Sequence, residues 1–201
     1  MRHSEQNAET EKQIKAAFIH AVELKGFNKV TITDIAKHAH VSRGTFYVHY
    51  VDKYDLLEKI EQEIFEKLQS HVVVERLEEP LLARTDEDIA SSTYRIFNYY
   101  LEYINQERET IRVLLSPNGD PYFFDKIKQI IDQLFTNKLT ELNGHFSDKL
   151  PISYSKELSI TNLLNIVRHW LNSPDPESPD ELAEILMQSR LLAPRDLLVF
   201  D

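Results

Sequence analysis

What this 201-residue chain can fold into is limited first by the spacing of its apolar residues, which is helical along most of its length. Ile14, Ala17, Phe18, Ala21 and Val22 recur at i, i+3, i+4, i+7 and i+8. Leu56, Leu57, Ile60, Ile64, Phe65 and Leu68 form a second stripe, and Ile89, Thr93, Ile96, Phe97, Tyr100, Leu101 and Ile104 a third. The punctuation agrees. The chain has only four glycines, three of them (Gly26, Gly119 and Gly144) at the ends of stripes, and no proline precedes Pro80. A strand-rich fold needs alternating apolar residues bounded by hairpin turns, and no such run occurs. The chain therefore reads as all-α, with about nine helices.

Cap signals place them. A first helix is expected over about residues 10–25, with Gly26 after its end. Thr31-Ile32-Thr33-Asp34 has the form of a capping box: the threonine oxygen takes an orphan N–H and Asp34 reaches back. The helix it opens is short, because Ala39-His40-Val41 leads to a new cap at Ser42, and the next is short too, ending near Tyr50. Asp52 caps a longer helix running to about Leu77. Thr85 to Asp88 opens another, to about Ile104, and a shorter piece follows near residues 107–115. Asp120-Pro121, an N-cap with proline at N1, predicts a helix to about Leu142. The last two are expected over about 153–172 and 179–192, the latter opened by Ser178-Pro179-Asp180-Glu181.

Composition narrows the function. Cysteine is absent, which excludes disulfides and thiolate metal sites. No run approaches 18 uncharged apolar residues, and the polar start MRHSEQNAETEKQ lacks the apolar stretch of an export signal. A cytoplasmic protein without membrane contact is expected. The formal charge is −10, yet residues 1–55 hold eight Lys/Arg against seven Asp/Glu, so the acidic excess belongs to the remainder. That asymmetry is compatible with an anionic partner for the first 55 residues and equally with chance clustering in an ordinary acidic protein.

The two short helices sharpen this. Isolated helices of that length are marginal in water, so packing must hold them. Ile32, Ile35 and Ala36 supply one apolar side, and Phe27, Val41 and Phe46 the other. Two short helices joined by a tight turn and braced by a longer one make a helix-turn-helix, whose second helix presents its outer residues to the DNA major groove. Arg43 and Lys53 each follow a cap, where a cation opposes the helix dipole. A phosphate bound there would remove the penalty. Gly44 lets nucleic acid approach the main chain, and Thr45, Tyr47 and His49 carry donors for phosphates or base edges.

The stretch TITDIAKHAHVSRGTFYVHYVDKYDLL resembles the N-terminal DNA-binding domain of TetR-family transcriptional regulators. Thr31, Ile35-Ala36, Val41-Ser42, Gly44 to Tyr47, Tyr50, Lys53 and Leu56-Leu57 all fall in register with it. The resemblance implies a dimeric regulator with a helix-turn-helix domain over residues 1–55 and a larger helical regulatory and dimerisation domain over 56–201. It implies phosphate contacts from Thr31, Thr33, Tyr47 and Lys53, and base or backbone contacts from Arg43, Gly44, Thr45 and His49, with Ser42 at the cap. His40 stands where the family pattern has glycine, which predicts a left-handed residue in an intact turn. The expected function is that of a sequence-specific repressor of the TetR type, modulated by an effector in the C-terminal domain. Its partners would be double-stranded operator DNA, a second copy of the chain, and a small-molecule or protein effector. The alternative is a TetR-like protein that acts through a partner protein, since Leu115 to Phe124 and Trp170 to Ile185 resemble a subgroup with such members.

In the family the last two long helices pair with their twins. Here that would bring Leu163, Ile166, Trp170, Leu182 and Leu186 to the seam, unless those faces are intrachain core. Tyr94, Phe97, Tyr100, Tyr103, Phe123 and Phe124 are the candidate effector-binding aromatics, with plain core as the competing reading. Enzymatic chemistry is not expected. The chain has no glycine-rich phosphate loop and no His-Glu-x-x-His, and His38 and His40 at i, i+2 point to different sides of a helix. No cofactor or metal is implied.

Overall fold

The computed structural model describes residues 2–70, 86–141, 145–146 and 149–189. Among them are nine α-helices and no strand. In chain order they are α1 (Arg2–Lys25), α2 (Ile32–His38), α3 (Arg43–His49), α4 (Lys53–Ser70), α5 (Asp86–Gln106), α6 (Arg108–Leu114), α7 (Phe123–Glu141), α8 (Ile152–Asn172) and α9 (Pro179–Ser189). One 3-10 turn, Phe27–Lys29, follows α1. The expected tail of α4 to Leu77, the Thr85 cap, the Asn143-Gly144 stop and the end of α9 near residue 192 lie outside the described residues. Two boundaries differ from expectation. Helix α1 begins eight residues earlier, at Arg2 rather than Thr10. Helix α7 begins at Phe123, because Asp120-Pro121-Tyr122 forms a turn in which Asp120 Oδ1 accepts the Tyr122 N–H at 3.2 Å.

The helices pack as two compact units, Met1–Lys67 with Glu109–Ile127, and Leu68–Arg108 with Lys128–Asp201. The first unit takes in much of α4, nearly all of α6 and the start of α7. In this unit the apolar stripe of α1 (Ile14, Ala17, Phe18, Ala21, Val22) is buried, as are Ile35, Phe46, Leu56, Ile60, Val113, Leu114 and Phe123. Phe65 stacks on Phe123 at 5.8 Å between centroids. The turn after α6 is tight enough that a Cβ on Gly119 would lie 2.2 Å from the Leu114 carbonyl oxygen. Next to it, the Asn118 carbonyl accepts the Phe27 N–H at 2.8 Å and its side chain donates to the Glu23 carbonyl at 3.0 Å. Arg112 pairs with Glu23 at 2.5 Å. Lys126 donates to the buried Glu61 at 2.6 Å and to Asp120 at 2.9 Å. Burial pushes the Glu61 carboxyl up to about 7 even so. Asp120, also buried, is held below its ordinary value by hydrogen bonds from Lys126 and the Tyr122 N–H.

In the second unit α9 packs along α5 and touches α8. Ser178 and Glu181 cap α9 reciprocally: Glu181 Oε2 accepts the Ser178 N–H at 2.8 Å, and the Glu181 N–H donates to Ser178 Oγ at 3.3 Å. Trp170 anchors the unit. Its indole N–H donates to the Glu177 carbonyl at 2.7 Å, and the Arg108 guanidinium lies over its ring at 4.7 Å.

Candidate nucleic-acid interface

The first four helices form a helix-turn-helix whose ends are closed by side chains. The predicted capping box on α2 is present: the Asp34 N–H donates to Thr31 Oγ1 at 3.2 Å and the Thr31 N–H to Asp34 Oδ2 at 3.1 Å. Lys25 pairs with the same carboxylate. That pairing, with the Thr31 hydrogen bonds, lowers the Asp34 carboxyl to about 2. Helix α2 ends in a Schellman motif, in which the Val41 N–H donates to the Ala36 carbonyl at 3.0 Å and the His40 N–H to Lys37 at 3.3 Å. His40 takes the left-handed position with φ 55°, the place where glycine is the usual solution. The turn survives the histidine with the strain expected of it.

On α3, Ser42 Oγ accepts the Thr45 N–H at 2.9 Å and lies 2.9 Å from Thr45 Oγ1. One face buries Phe46 and the other stands in solvent. The outer face consists of Arg43, Gly44, Tyr47 and Val48, spaced i, i+1, i+4 and i+5. Arg43 has no hydrogen bond or ion pair among the described residues. Thr31 and Thr33 are exposed at the start of α2, and Tyr47 is 50% exposed with its ring edge-on to Phe46.

Two of the expected contact residues face inward instead. The His49 side chain is only 7% exposed, and its Nδ1 lies 3.2 Å from Glu11 Oε1 on α1. Lys53 Nζ donates to three carbonyls of the turn after α1, those of Phe27 (2.9 Å), Asn28 (3.1 Å) and Val30 (3.0 Å). It also lies 4.9 Å from the Phe27 ring centroid and 5.4 Å from that of Tyr54. An ammonium has three N–H donors, and all three are engaged. The donors of the cation after the Asp52 cap are thus engaged inside the chain, where the sequence suggested a phosphate. Arg43, by contrast, makes no such bond among the described residues. Nothing in the linear sequence brings residues 27–30 to the start of α4, so this pairing had no signal there.

Two family descriptions match the chain: "Bacterial regulatory proteins, tetR family" over residues 17–60, and "Transcriptional regulator C-terminal region" over residues 91–190. Together they span well over half of it. The chain belongs to the TetR family. It is therefore a DNA-binding transcription regulator of the helix-turn-helix type, and the first match lies over α1 to α4. Among curated proteins none matches it in sequence. Among solved structures, a TetR transcriptional regulator from Streptococcus agalactiae is 22% identical, with a TM-score of 0.62 over 94% of this chain and 97% of that one. The regulator FadR from Bacillus subtilis, solved in complex with stearoyl-CoA, is 16% identical, with a TM-score of 0.56 over 88% and 95%. The dihydroxyacetone kinase operon activator DhaS is also 16% identical, with a TM-score of 0.52 over 90% and 94%. These likenesses are of fold.

The aromatic residues expected to bind an effector belong to two units. Phe123 is fully buried against Phe65 in the first unit, and Phe124 is half-buried beside it in sequence. Tyr94, Phe97, Tyr100 and Tyr103 belong to α5 in the second unit. Phe97 and Tyr103 are largely buried, and the Tyr100 hydroxyl donates to the Leu68 carbonyl at 3.2 Å. Burial raises the Tyr100 hydroxyl to about 12. An open groove of about 380 Å³ runs along α5, lined by Tyr94 and Tyr103 with Arg95, Asn98, Tyr99, Glu102 and Gln106. Its wall thus combines aromatic, polar and charged side chains. Of the five residues expected at a dimer seam in this TetR-family chain, Trp170, Leu182 and Leu186 are buried within the chain, whereas Leu163 and Ile166 remain partly exposed on α8.

Proposed function

We propose that this TetR-family chain is a dimeric cytoplasmic repressor that reads duplex DNA with the outer face of α3. The observation that carries the reading is Arg43. It stands exposed on a helix whose other side is fixed in the core by Phe46, and no group among the described residues pairs with it. Arg43 and Tyr47 contact the DNA from one turn to the next, while Thr31 and Thr33 bind the backbone from the start of α2. Ser42 and Thr45 hold the first turn of α3 in shape. His49 and Lys53 act as positioning residues, fixing α3 against α1 and the loop 27–30 against α4. The DNA-contacting part is then residues 1–55, and the regulatory part is residues 56–201.

The dimer forms through α8 and α9, with the partly exposed Leu163 and Ile166 at the seam. A two-fold pair of reading helices spans half-sites about 34–36 Å apart, or a multiple of that. The effector binds along α5 at Tyr94 and Tyr103, and acts by binding one dimer geometry better than the other. The test is selection of bound duplex from a random pool, followed by titration of the recovered site against salt. We expect a two-fold symmetric site whose affinity falls about ten-fold or more in Arg43→Ala. Recovery of no duplex at low ionic strength, or full affinity in the variant, would refute the reading.

A further inference from the structure

The outer face of α3 carries an exposed valine to which no contact has been assigned so far. Val48 is 78% exposed, on the same face as Arg43 and Tyr47. A single exposed valine is ordinary. This one lies one helical turn after Gly44, and a helical side chain leans back over the turn that precedes it. The valine methyls therefore flank the bare backbone of Gly44. The glycine has no internal reason to be there. Its φ is not in the left-handed range, and an added Cβ would meet only Ser42 Oγ, at an ordinary 3.5 Å. Glycine weakens a helix against alanine, and β-branched valine is also a poor helix former. Two unfavourable choices thus fall on adjacent turns of a seven-residue helix, at solvent-facing positions where a polar residue would serve the fold as well.

We infer that Gly44 and Val48 form a seat for the C5-methyl group of a thymine in the major groove. Gly44 is the floor, Val48 the wall, and Arg43 and Tyr47 the polar rim. The major-groove edge of an A·T pair presents that methyl, and apolar side chains are the groups that read it. Arginine and tyrosine serve phosphates and acceptor edges; an apolar notch discriminates by a methyl alone. The inference rests on the DNA-reading role of α3 and adds to it a base preference carried by two residues.

Deoxyuridine differs from thymidine only by that methyl, which makes the test clean. In the duplex recovered by selection, each thymine is replaced singly by uracil, and the full-length chain is titrated against each. We expect one thymine per half-site at which uracil weakens binding about three- to five-fold, the value of roughly one buried methyl. Val48→Ala should bind the thymine duplex more weakly by a similar factor and lose the distinction from uracil. Gly44→Ala, whose added methyl occupies the seat, should lose it as well. Val51→Ala, at an equally exposed valine (77%) outside α3, should keep it. Circular dichroism establishes that each variant is folded, which their exposure favours. Uracil tolerated at every position, or discrimination kept in both Val48→Ala and Gly44→Ala, overturns the seat while leaving DNA reading by α3 intact. Recovery of no duplex overturns both.

Discussion

Lys53→Met separates two roles that the same lysine could play. Methionine keeps most of the apolar stem between Phe27 and Tyr54 but removes the ammonium, so the carbonyls of Phe27, Asn28 and Val30 lose their donor. Hydrogen bonds to charged groups contribute about 1.5–3 kcal/mol each. The Asn28 carbonyl is exposed and water replaces the lysine there, so only the part-buried Phe27 and Val30 bonds count in full. Water also reaches them in part, which sets the expected loss at about 2–4 kcal/mol. Urea unfolding, followed by circular dichroism at one fixed protein concentration, should show a midpoint lower by about 1 M. In parallel, the slope of log affinity against log salt should stay that of the parent, because no phosphate contact has gone. A lysine that binds phosphate gives the reverse pattern. Stability then changes by less than about 0.5 kcal/mol, and the salt slope falls by about 0.9. That second pattern would refute the assignment of Lys53 to the carbonyls.

Three further outcomes follow from particular atoms. His40→Gly should stabilise the chain by about 0.5–1 kcal/mol in the same unfolding assay, since φ 55° costs a histidine more than a glycine. Gly119→Ala should destabilise it by more than about 2 kcal/mol, because its Cβ would lie 2.2 Å from the Leu114 carbonyl oxygen and 2.5 Å from that of Val113, both rigid backbone atoms. For Glu61 the folded value of about 7 lies above the ordinary 4.5, so the folded state binds the extra proton. Its contribution is complete below about 4.5 and is lost as pH rises through about 7. Glu61→Gln should therefore flatten the fall in stability over that window, measured by thermal unfolding at successive pH values; an unchanged slope would count against the buried, proton-binding carboxyl.

The helices were legible because their signals are local. Thr31 and Asp34, Ser42 and Thr45, and Ser178 and Glu181 each bond within three residues, so a reader of the string sees both partners at once. The stripe of α1 faces the core because five apolar residues at helical spacing leave no other face to bury. Helix α7 was misplaced at its start for the opposite reason. Asp120 resembles a cap in the string, but its second oxygen is held by Lys126, which also bonds Glu61, 65 residues away from it. The six candidate effector aromatics of α5 and α7 are close in sequence. The chain divides them between two units, and Phe123 completes the core of the first.

Arg43 and Lys53 mark the limit of such reading most clearly. Both are cations directly after a cap, and the dipole argument treats them alike. What distinguishes them is whether oxygen atoms lie within reach of the folded side chain. The turn 27–30 follows a helix end and offers three carbonyl acceptors; Lys53 donates to them, and through them ties α4 to the end of α1. The same stretch is held from another direction by Asn118, whose carbonyl accepts the Phe27 N–H. A loop fixed on both its donor and acceptor sides keeps α1 in register with α2, and so fixes where α3 begins. Arg43 finds no such oxygens among the described residues, and its side chain stands at the surface. The Lys53 ammonium keeps its charge, but all three of its donors are committed to the loop, so the two cations that follow a cap differ in which donors remain for an outside group.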